Sequence, residues 1–193
     1  MSILALDIGF NCTGYVFITP YSDGSVEFED VGWIAYKKPS KKRDIRKSNV
    51  LVDQAQFVYR EMLEQALKSE GMIIEAPHGG AQSGNAMRAM GMVLAIAASV
   101  AEQTKRPTEW MVPDDCKISV CGRRDVSKGQ IQNKLQQLYP GIVPWVPVKR
   151  DGSVNAGKWE HVADALAAYH CAHNGTLVRL LTKEKESSTV SLF

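Results

Sequence analysis

Residues 3–18 read ILALDIGFNCTGYVFI, and this stretch decides the fold of the chain. Its first four residues are all apolar, which is the pattern of a strand buried on both faces of a sheet. Asp7 ends the apolar run, and a buried carboxylate is costly unless it is paired or holds a metal. Gly9 and Gly14 predict a tight turn, after which residues 15–18 return as a second strand. Asp7 therefore either caps the turn through backbone amides or belongs to a functional site.

The composition indicates one globular domain. The chain has 193 residues, of which 45% are hydrophobic and 23% are charged, so a single domain can bury a sizeable core. We expect residues 1–182 to form this domain and residues 183–193 to form a flexible polar tail. The longest apolar stretch, near residues 90–101, is too short and too rich in alanine to predict a membrane span, so we expect no membrane partner.

The amino-terminal sequence and the cysteines predict the cellular compartment of the protein. The amino terminus shows no secretory signal pattern, and the four cysteines form no C-x-x-C pair, so no zinc site is expected. Reduced thiols fit a cytoplasmic location, in a bacterium or in an infected host cell.

The other segments predict an α/β fold. A turn at residues 22–25 and a strand at 26–36 continue an antiparallel meander of three strands, and a change of phase in that strand predicts a bulge. We expect further strands at 72–75 and 108–112, a long loop at 143–157, and helices at 51–66, 81–103, 114–120, 127–138 and 158–173. The prediction is a five-stranded mixed sheet, three antiparallel strands followed by parallel ones, with helices on both faces.

A basic segment lies between the third strand and the first helix. The net charge is only +2, but residues 37–47 carry seven lysines and arginines against one aspartate. Such a segment is either a solvated loop or a surface that follows nucleic-acid phosphates. On the second interpretation, Lys41, Lys42 and Arg43 bind DNA.

Four residues form a candidate catalytic group. The strand at 72–75 ends in Glu75 just as the first strand ends in Asp7, and in the last predicted helix His161 and Asp164 share one face because they are three residues apart. Clustered carboxylates repel one another unless cations intervene, and their hard oxygen ligands suit Mg²⁺ or Mn²⁺. Two such ions roughly 3.5–4 Å apart can activate water and stabilise the leaving oxygen in phosphodiester hydrolysis.

The contexts of these residues resemble RuvC-type Holliday junction resolvases, which are ribonuclease H-like nucleases. The resemblance rests on Asp7 in LALDIGFNCTGY, Glu75 in IIEA, and His161 with Asp164 in HVADALA, and it spans residues 3 to about 173. It implies a ribonuclease H-like fold and an endonuclease that nicks four-way or other branched DNA, leaving 5′-phosphate and 3′-hydroxyl ends. It also implies that the four residues are catalytic and hold two Mg²⁺ ions, which Mn²⁺ can replace.

The resemblance extends to two lysines. Lys117 precedes ISVCG, as a family lysine precedes a similar turn, and Lys128 in SKGQIQ matches a family helix start. In the family these lysines assist phosphate contact or charge stabilisation, which implies a catalytic role for Lys128. A helix start flanked by Arg123 and Arg124 also suits an anion on physical grounds, although Lys117 and both arginines could equally be ordinary surface charge.

Two segments depart from the family pattern or add to it. Where resolvases often place an aromatic wedge after the second acid, this chain has His78, which we assign to DNA binding. This departure, with the long basic segment, suits a phage or viral member acting on varied branched DNA. Residues 190–193 resemble the end of sliding-clamp-binding peptides but lack the expected glutamine.

Resolution of a four-way junction needs two nicks, so we expect a homodimer with one site per subunit. Residues 85–100 are a candidate interface, because their apolar side chains exceed what one sheet face can cover; the alternative is a helix buried between the sheet and a neighbouring helix. Two other functions remain open. One is a ribonuclease H-fold ATPase or sugar-kinase-like protein, for which 193 residues leave little room, and the other is a catalytically silent branched-DNA-binding relative.

Overall fold

The computed structural model describes residues 2–37, 46–77 and 83–185. Several predicted DNA contacts lie outside these ranges, namely Lys41, Lys42, Arg43 and His78. The sliding-clamp-like residues 190–193 lie outside them as well.

The fold is built on one mixed sheet. Its five strands lie in the order β3-β2-β1-β4-β5, with β1, β2 and β3 antiparallel to one another and β4 and β5 parallel to β1. The strands are β1 (Ile3–Asp7), β2 (Cys12–Pro20), β3 (Val26–Ala35), β4 (Gly71–Glu75) and β5 (Thr108–Met111). This arrangement confirms the predicted sheet.

Helices cover both faces of the sheet. They are α1 (Lys47–Lys68), α2 (Gly84–Thr104), α3 (Pro113–Cys121), α4 (Lys128–Leu138), α5 (Ala156–Ala172) and α6 (Thr176–Leu181). Successive side chains of β1 point to opposite faces of the sheet and so belong to two separate parts of the core. Ile3 and Ala5 pack with α3, α4 and α5, whereas Leu4 and Leu6 pack with α1 and α2. All four side chains are fully buried, as expected for a central strand covered on both faces.

Most element boundaries agree with the sequence patterns. The predicted bulge is present, since the β2–β3 register passes from Phe17–Asp30 to Ile18–Phe28 and leaves Glu29 without a register partner. Ser127 and Gln130 form the predicted capping box at the start of α4. The second strand is longer than predicted because Gly14 lies within β2 rather than at the end of a turn.

Two segments differ from expectation near the end of the chain. The predicted long loop begins with a 3-10 helix at Pro140–Trp145, and the short helix α6 was not predicted. Residues 183–185 lie against the β2–β3 turn, where Lys183 exchanges backbone hydrogen bonds with Pro20 and Ser22. These three residues are thus held in place, and both the domain boundary and the flexibility of the chain beyond residue 185 stay predictions.

The apolar part of helix α2 is longer than the stretch at residues 90–101 on which the membrane prediction was based. By length and composition alone it could cross a membrane, with a mean hydropathy of 1.3 over its most apolar window. The prediction that this stretch is too short to span a bilayer is therefore wrong on length. Its buried residues Val93, Ala97 and Val100 pack onto the sheet, which is also what a core helix does.

Helix α5 lies directly on the sheet at Gly14. A Cβ atom at this position would overlap the backbone carbonyl of His161 and would lie 2.7 Å from the nitrogen of Val162. Gly14 is also the register partner of Asp7 on β1. The absence of a side chain at Gly14 therefore lets the α5 backbone approach the sheet beside Asp7.

We predict that Gly14→Ala destabilises the fold by roughly 2–4 kcal/mol, because the helix and strand backbones cannot both keep their places. Gly91→Ala is the matched control: Gly91 lies in α2 with open space around it, and alanine there should stabilise the helix by about 0.5–1 kcal/mol. Urea unfolding monitored by circular dichroism measures both. Equal stability of Gly14→Ala and wild type would contradict the close approach.

Candidate active site

The site begins with two carboxylates on neighbouring strands. Asp7 and Glu75 are the last residues of β1 and β4, and they are register partners in the parallel pair. Neighbouring strands lie about 4.8 Å apart, and register partners in a parallel pair point to the same face. Both side chains therefore lie on the face covered by α5, at the carboxyl edge of the sheet, where open α/β sheets often bind ligands.

His161 on α5 contacts the first carboxylate directly. Its Nδ1 lies 2.6 Å from Oδ2 of Asp7, and both side chains are only partly exposed. The hydrogen bond to Asp7 raises the pKa of His161 to about 10, and a hydrogen bond to Cys12 adds to this effect. The contact with Asp7 therefore favours the protonated form of the imidazole.

A cavity of about 290 Å³ joins the remaining predicted residues. Glu75 and Asp164 line it together with Lys117 of α3 and Lys128 at the start of α4. The other lining residues are Pro113, Cys116, Val126, Ile131 and Ala167. The structure thus places two carboxylates and two ammonium groups from four separate elements around one cavity.

Burial makes the negative charges in this cavity costly. It raises the pKa of Glu75 to about 9, with the charges of Asp164 and Asp7 adding to the shift. Burial likewise raises the pKa of Asp164 to about 6, and Asp7 again contributes. Lys117 and Lys128 act in the opposite direction on both carboxyl groups. The two lysines therefore offset only part of the cost of ionising these buried carboxyl groups.

Two acidic residues that the sequence analysis missed hold the basic side chains. Glu160 forms an ion pair with Lys128, and Asp114 lies 3.4 Å from Lys117 and 4.0 Å from Arg124. The spacing of Asp114 and Lys117 on α3 could have predicted their contact. Glu160 and Lys128 are 32 residues apart, so only the packing of α4 against α5 brings them together.

Arg123 lies outside the shared cavity. It lines an adjacent cavity of about 360 Å³ between α3 and α4, together with Gln130 and Lys134. Its role in DNA binding stays a prediction, as do those of Lys117, Arg124 and Lys128.

The donor chemistry of the site fits a hard divalent cation. Asp7, Glu75 and Asp164 offer carboxylate oxygens, which Mg²⁺ and Mn²⁺ prefer, and two of these groups carry raised pKa values that a cation would lower. Within the described ranges, however, no three His, Cys, Asp or Glu side chains are grouped closely enough to hold one ion. The hydrogen bond between His161 and Asp7 uses atoms that a metal would otherwise take. The ligand set therefore stays a prediction.

Comparison with known proteins connects this chain to one fold. No family model and no curated protein matches its sequence. Its structure is similar to Thermus thermophilus RuvC, with a TM-score of 0.65, 15% identity, and coverage of 95% of this chain and 99% of that chain. The structure of T. thermophilus RuvC in complex with a Holliday junction substrate gives the same TM-score at 13% identity, covering 94% and 98% of the two chains.

The yeast mitochondrial Holliday junction resolvase Ydc2 is also similar, with a TM-score of 0.60 and 13% identity over 88% of this chain and 77% of that chain. At such low identities the likeness establishes the fold. The chain has the ribonuclease H-like fold of RuvC, which confirms the fold that the sequence motifs implied.

The raised pKa of Glu75 predicts a pH-dependent cost to stability. Below about pH 4 this carboxyl is protonated in both the folded and the unfolded chain. Above its ordinary pKa of 4.5 the unfolded chain ionises while the folded chain keeps the proton up to about pH 9, so folding stability falls across this range. In the presence of a chelator, Glu75→Gln should therefore be more stable than wild type at pH 8, by at least about 1 kcal/mol.

The difference in stability should disappear at pH 4. Thermal unfolding in EDTA across this range measures it, and Glu102→Gln, on the exposed end of α2, is the matched control. A constant difference between Glu75→Gln and wild type at all pH values would contradict the assigned protonation.

Proposed function

We propose that this chain is a metal-dependent, structure-specific endonuclease that nicks four-way or other branched DNA. The observation that carries the proposal is the convergence of Asp7, Glu75 and Asp164 beside Lys117 and Lys128 at the carboxyl edge of the sheet. The shared fold supports it, because T. thermophilus RuvC is described in complex with a Holliday junction substrate. The reaction class is phosphodiester hydrolysis.

Asp7, Glu75, Asp164 and His161 would hold two Mg²⁺ ions, with Mn²⁺ as a substitute. When bound, such ions activate water and offset the charge on the leaving oxygen. Water adds to phosphorus, the bond to the 3′-oxygen breaks, and that oxygen takes up a proton. The products are a 5′-phosphate end and a 3′-hydroxyl end.

The basic residues of the site serve the phosphate. Lys117 and Lys128 both line the cavity that contains Glu75 and Asp164. We assign the stabilisation of charge on the phosphate to Lys128, because it stands at the amino end of α4, where a helix favours an anion. In the free protein it is paired with Glu160. Binding of DNA therefore replaces a carboxylate by a phosphate as the partner of Lys128.

His161 links metal binding to pH. A histidine must be neutral to hold a metal, whereas its bond to Asp7 raises its pKa to about 10. Cation binding must therefore displace a proton from His161, and a second from Glu75 when that carboxyl is protonated. Metal affinity should consequently fall as the pH is lowered.

We expect Asp7→Asn, Glu75→Gln and Asp164→Asn each to reduce nicking of a labelled four-way junction by at least about 10³-fold in Mg²⁺. Junction affinity should be unchanged or increased, because fewer negative charges face the DNA phosphates. Asp53→Asn on the exposed surface of α1 is the matched control and should nick normally. Denaturing gels measure nicking, and a mobility-shift assay in chelator measures binding.

Each failure in this experiment has a distinct meaning. Full nicking by any of the three variants would remove that residue from the site. Junction binding by wild type without nicking in Mg²⁺ or Mn²⁺ would favour a silent DNA-binding protein. ATP hydrolysis without nicking would favour the kinase-like alternative.

We further propose that the working unit is a homodimer assembled through α2. Its apolar side chains Met87 and Leu94 are 63% and 40% exposed, although the same helix buries Val93, Ala97 and Val100 against the sheet. A two-fold dimer would cover the exposed side and present one site to each of two DNA strands. The exposed apolar surface is what supports this assembly.

Leu94→Glu should convert the dimer to a monomer, because a carboxylate would be buried at the interface. Leu67→Glu is the matched control, since Leu67 is 58% exposed and belongs to a different helix, α1. Sedimentation velocity on junction DNA distinguishes the two states. A wild-type monomer at concentrations that support nicking would exclude the dimer.

A further inference from the structure

A tryptophan lies in the same cross-strand row as the two strand carboxylates. Trp33 of β3 is the register partner of Gly14, Gly14 that of Asp7, and Asp7 that of Glu75. Register partners point to one face of a sheet, so the Trp33 indole lies on the face that carries the carboxylates. It is two strands from Asp7, a Cα separation of about 10 Å.

Lys158 in the first turn of α5 lies over this indole. Its Nζ is 3.8 Å from the centre of the Trp33 ring, and both side chains are partly exposed. The contact holds the ammonium group at a defined position beside the site. It does so on the β3 side of Asp7, whereas Glu75 and the cavity containing Lys128 lie on the β4 side.

Lys158 differs electrostatically from the other lysines of the site. Lys117 and Lys128 pair with Asp114 and Glu160, respectively, while no ion pair involves Lys158 within the described residues. An aromatic ring attracts a cation through its quadrupole but carries no net charge. The full positive charge of Lys158 therefore remains available to an anion, and no carboxylate has to be displaced first.

We propose that Lys158 binds a backbone phosphate of the cleaved DNA strand, within about three nucleotides of the scissile bond, and that Trp33 positions its ammonium group. The distance follows from the Cα separation of about 10 Å between Trp33 and Asp7 and a rise of about 3.4 Å per nucleotide. The strand would then cross the carboxyl edge of the sheet, with Lys158 on one side of the carboxylates and Lys128 on the other.

The inference rests on the proposed nuclease function and adds a path for the substrate strand. Its rival is a purely structural contact, in which Lys158 and Trp33 only attach α5 to the edge of the sheet. The two differ in one measurable respect. A phosphate contact depends on charge and on one particular phosphate of the DNA, whereas a structural contact depends on neither.

The test measures junction binding in the nicking-deficient Asp7→Asn background. Single phosphates around the cleavage position are replaced one at a time by neutral methylphosphonates, and affinity is measured with Lys158 and with Lys158→Ala. At one or more positions, the methylphosphonate should weaken junction binding by about tenfold when Lys158 is present. The same methylphosphonate should have no effect on binding by Lys158→Ala. The slope of log affinity against log salt should also fall by about one unit in Lys158→Ala.

Conservative variants separate charge from structure. Lys158→Arg should keep both the methylphosphonate pattern and the salt slope, because arginine keeps the charge and also binds aromatic faces. Trp33→Phe should keep most of the affinity for the junction, while Trp33→Leu should lose the affinity that Lys158 contributes. The melting temperature of Trp33→Leu should stay above the assay temperature, which shows that the domain is still folded. The matched controls are Lys68→Ala on α1 and Trp110→Leu on the opposite face of the sheet, and both should bind like the parent.

Three outcomes overturn the inference. One is a methylphosphonate pattern that Lys158→Ala leaves unchanged, and another is an equal loss of affinity in Lys158→Arg and Lys158→Ala. In both cases the nuclease proposal stands if wild type still nicks junctions. The third is a wild-type protein that does not bind branched DNA, which overturns the nuclease proposal and this inference together.

Discussion

The site depends on the close packing of α5 against β2 at Gly14. Only a residue without a side chain lets the backbone of His161 lie against the strand. Because Gly14 is paired with Asp7, that approach brings His161 to within 2.6 Å of Asp7, and Asp164 on the same helix lines one cavity with Glu75. The same packing places Lys158 over Trp33 and Glu160 beside Lys128. One helix therefore organises the acidic and the basic sides of the site together.

The buried carboxylates lower the stability of the free protein. Glu75 is almost fully buried among other acids, and its raised pKa means that the folded protein does not favour the ionised form. An apolar residue at the end of β4 would avoid this cost. A glutamate at this position is understandable if a bound cation offsets the charge, since desolvated carboxylates bind a divalent ion more strongly than solvated ones do. The cost to stability in the free protein is thus the same property that favours a ligand.

Much of the fold could be predicted because its signals are local. The apolar run before Asp7 predicted a strand buried on both faces, and Ser127 with Gln130 predicted the start of α4 from their spacing alone. The strand at 72–75 could be predicted to lie beside the first strand, because each of them ends in an acidic residue that a turn follows. The 3-10 helix at Pro140–Trp145 and helix α6 were missed, because short elements lack the repeated apolar spacing on which such predictions depend.

The sequence by itself determined which elements carry Asp7, Glu75, His161 and Asp164, because each stands in a recognisable local pattern. Their catalytic role stays a prediction. The tertiary structure alone decided which charges are compensated. Glu160 and Lys128 are far apart in the chain, as are Trp33 and Lys158, so no spacing rule relates them. Their contacts arise from the angle and distance at which α5 crosses the sheet, and Gly14, which a sequence pattern assigns to a turn, controls that distance.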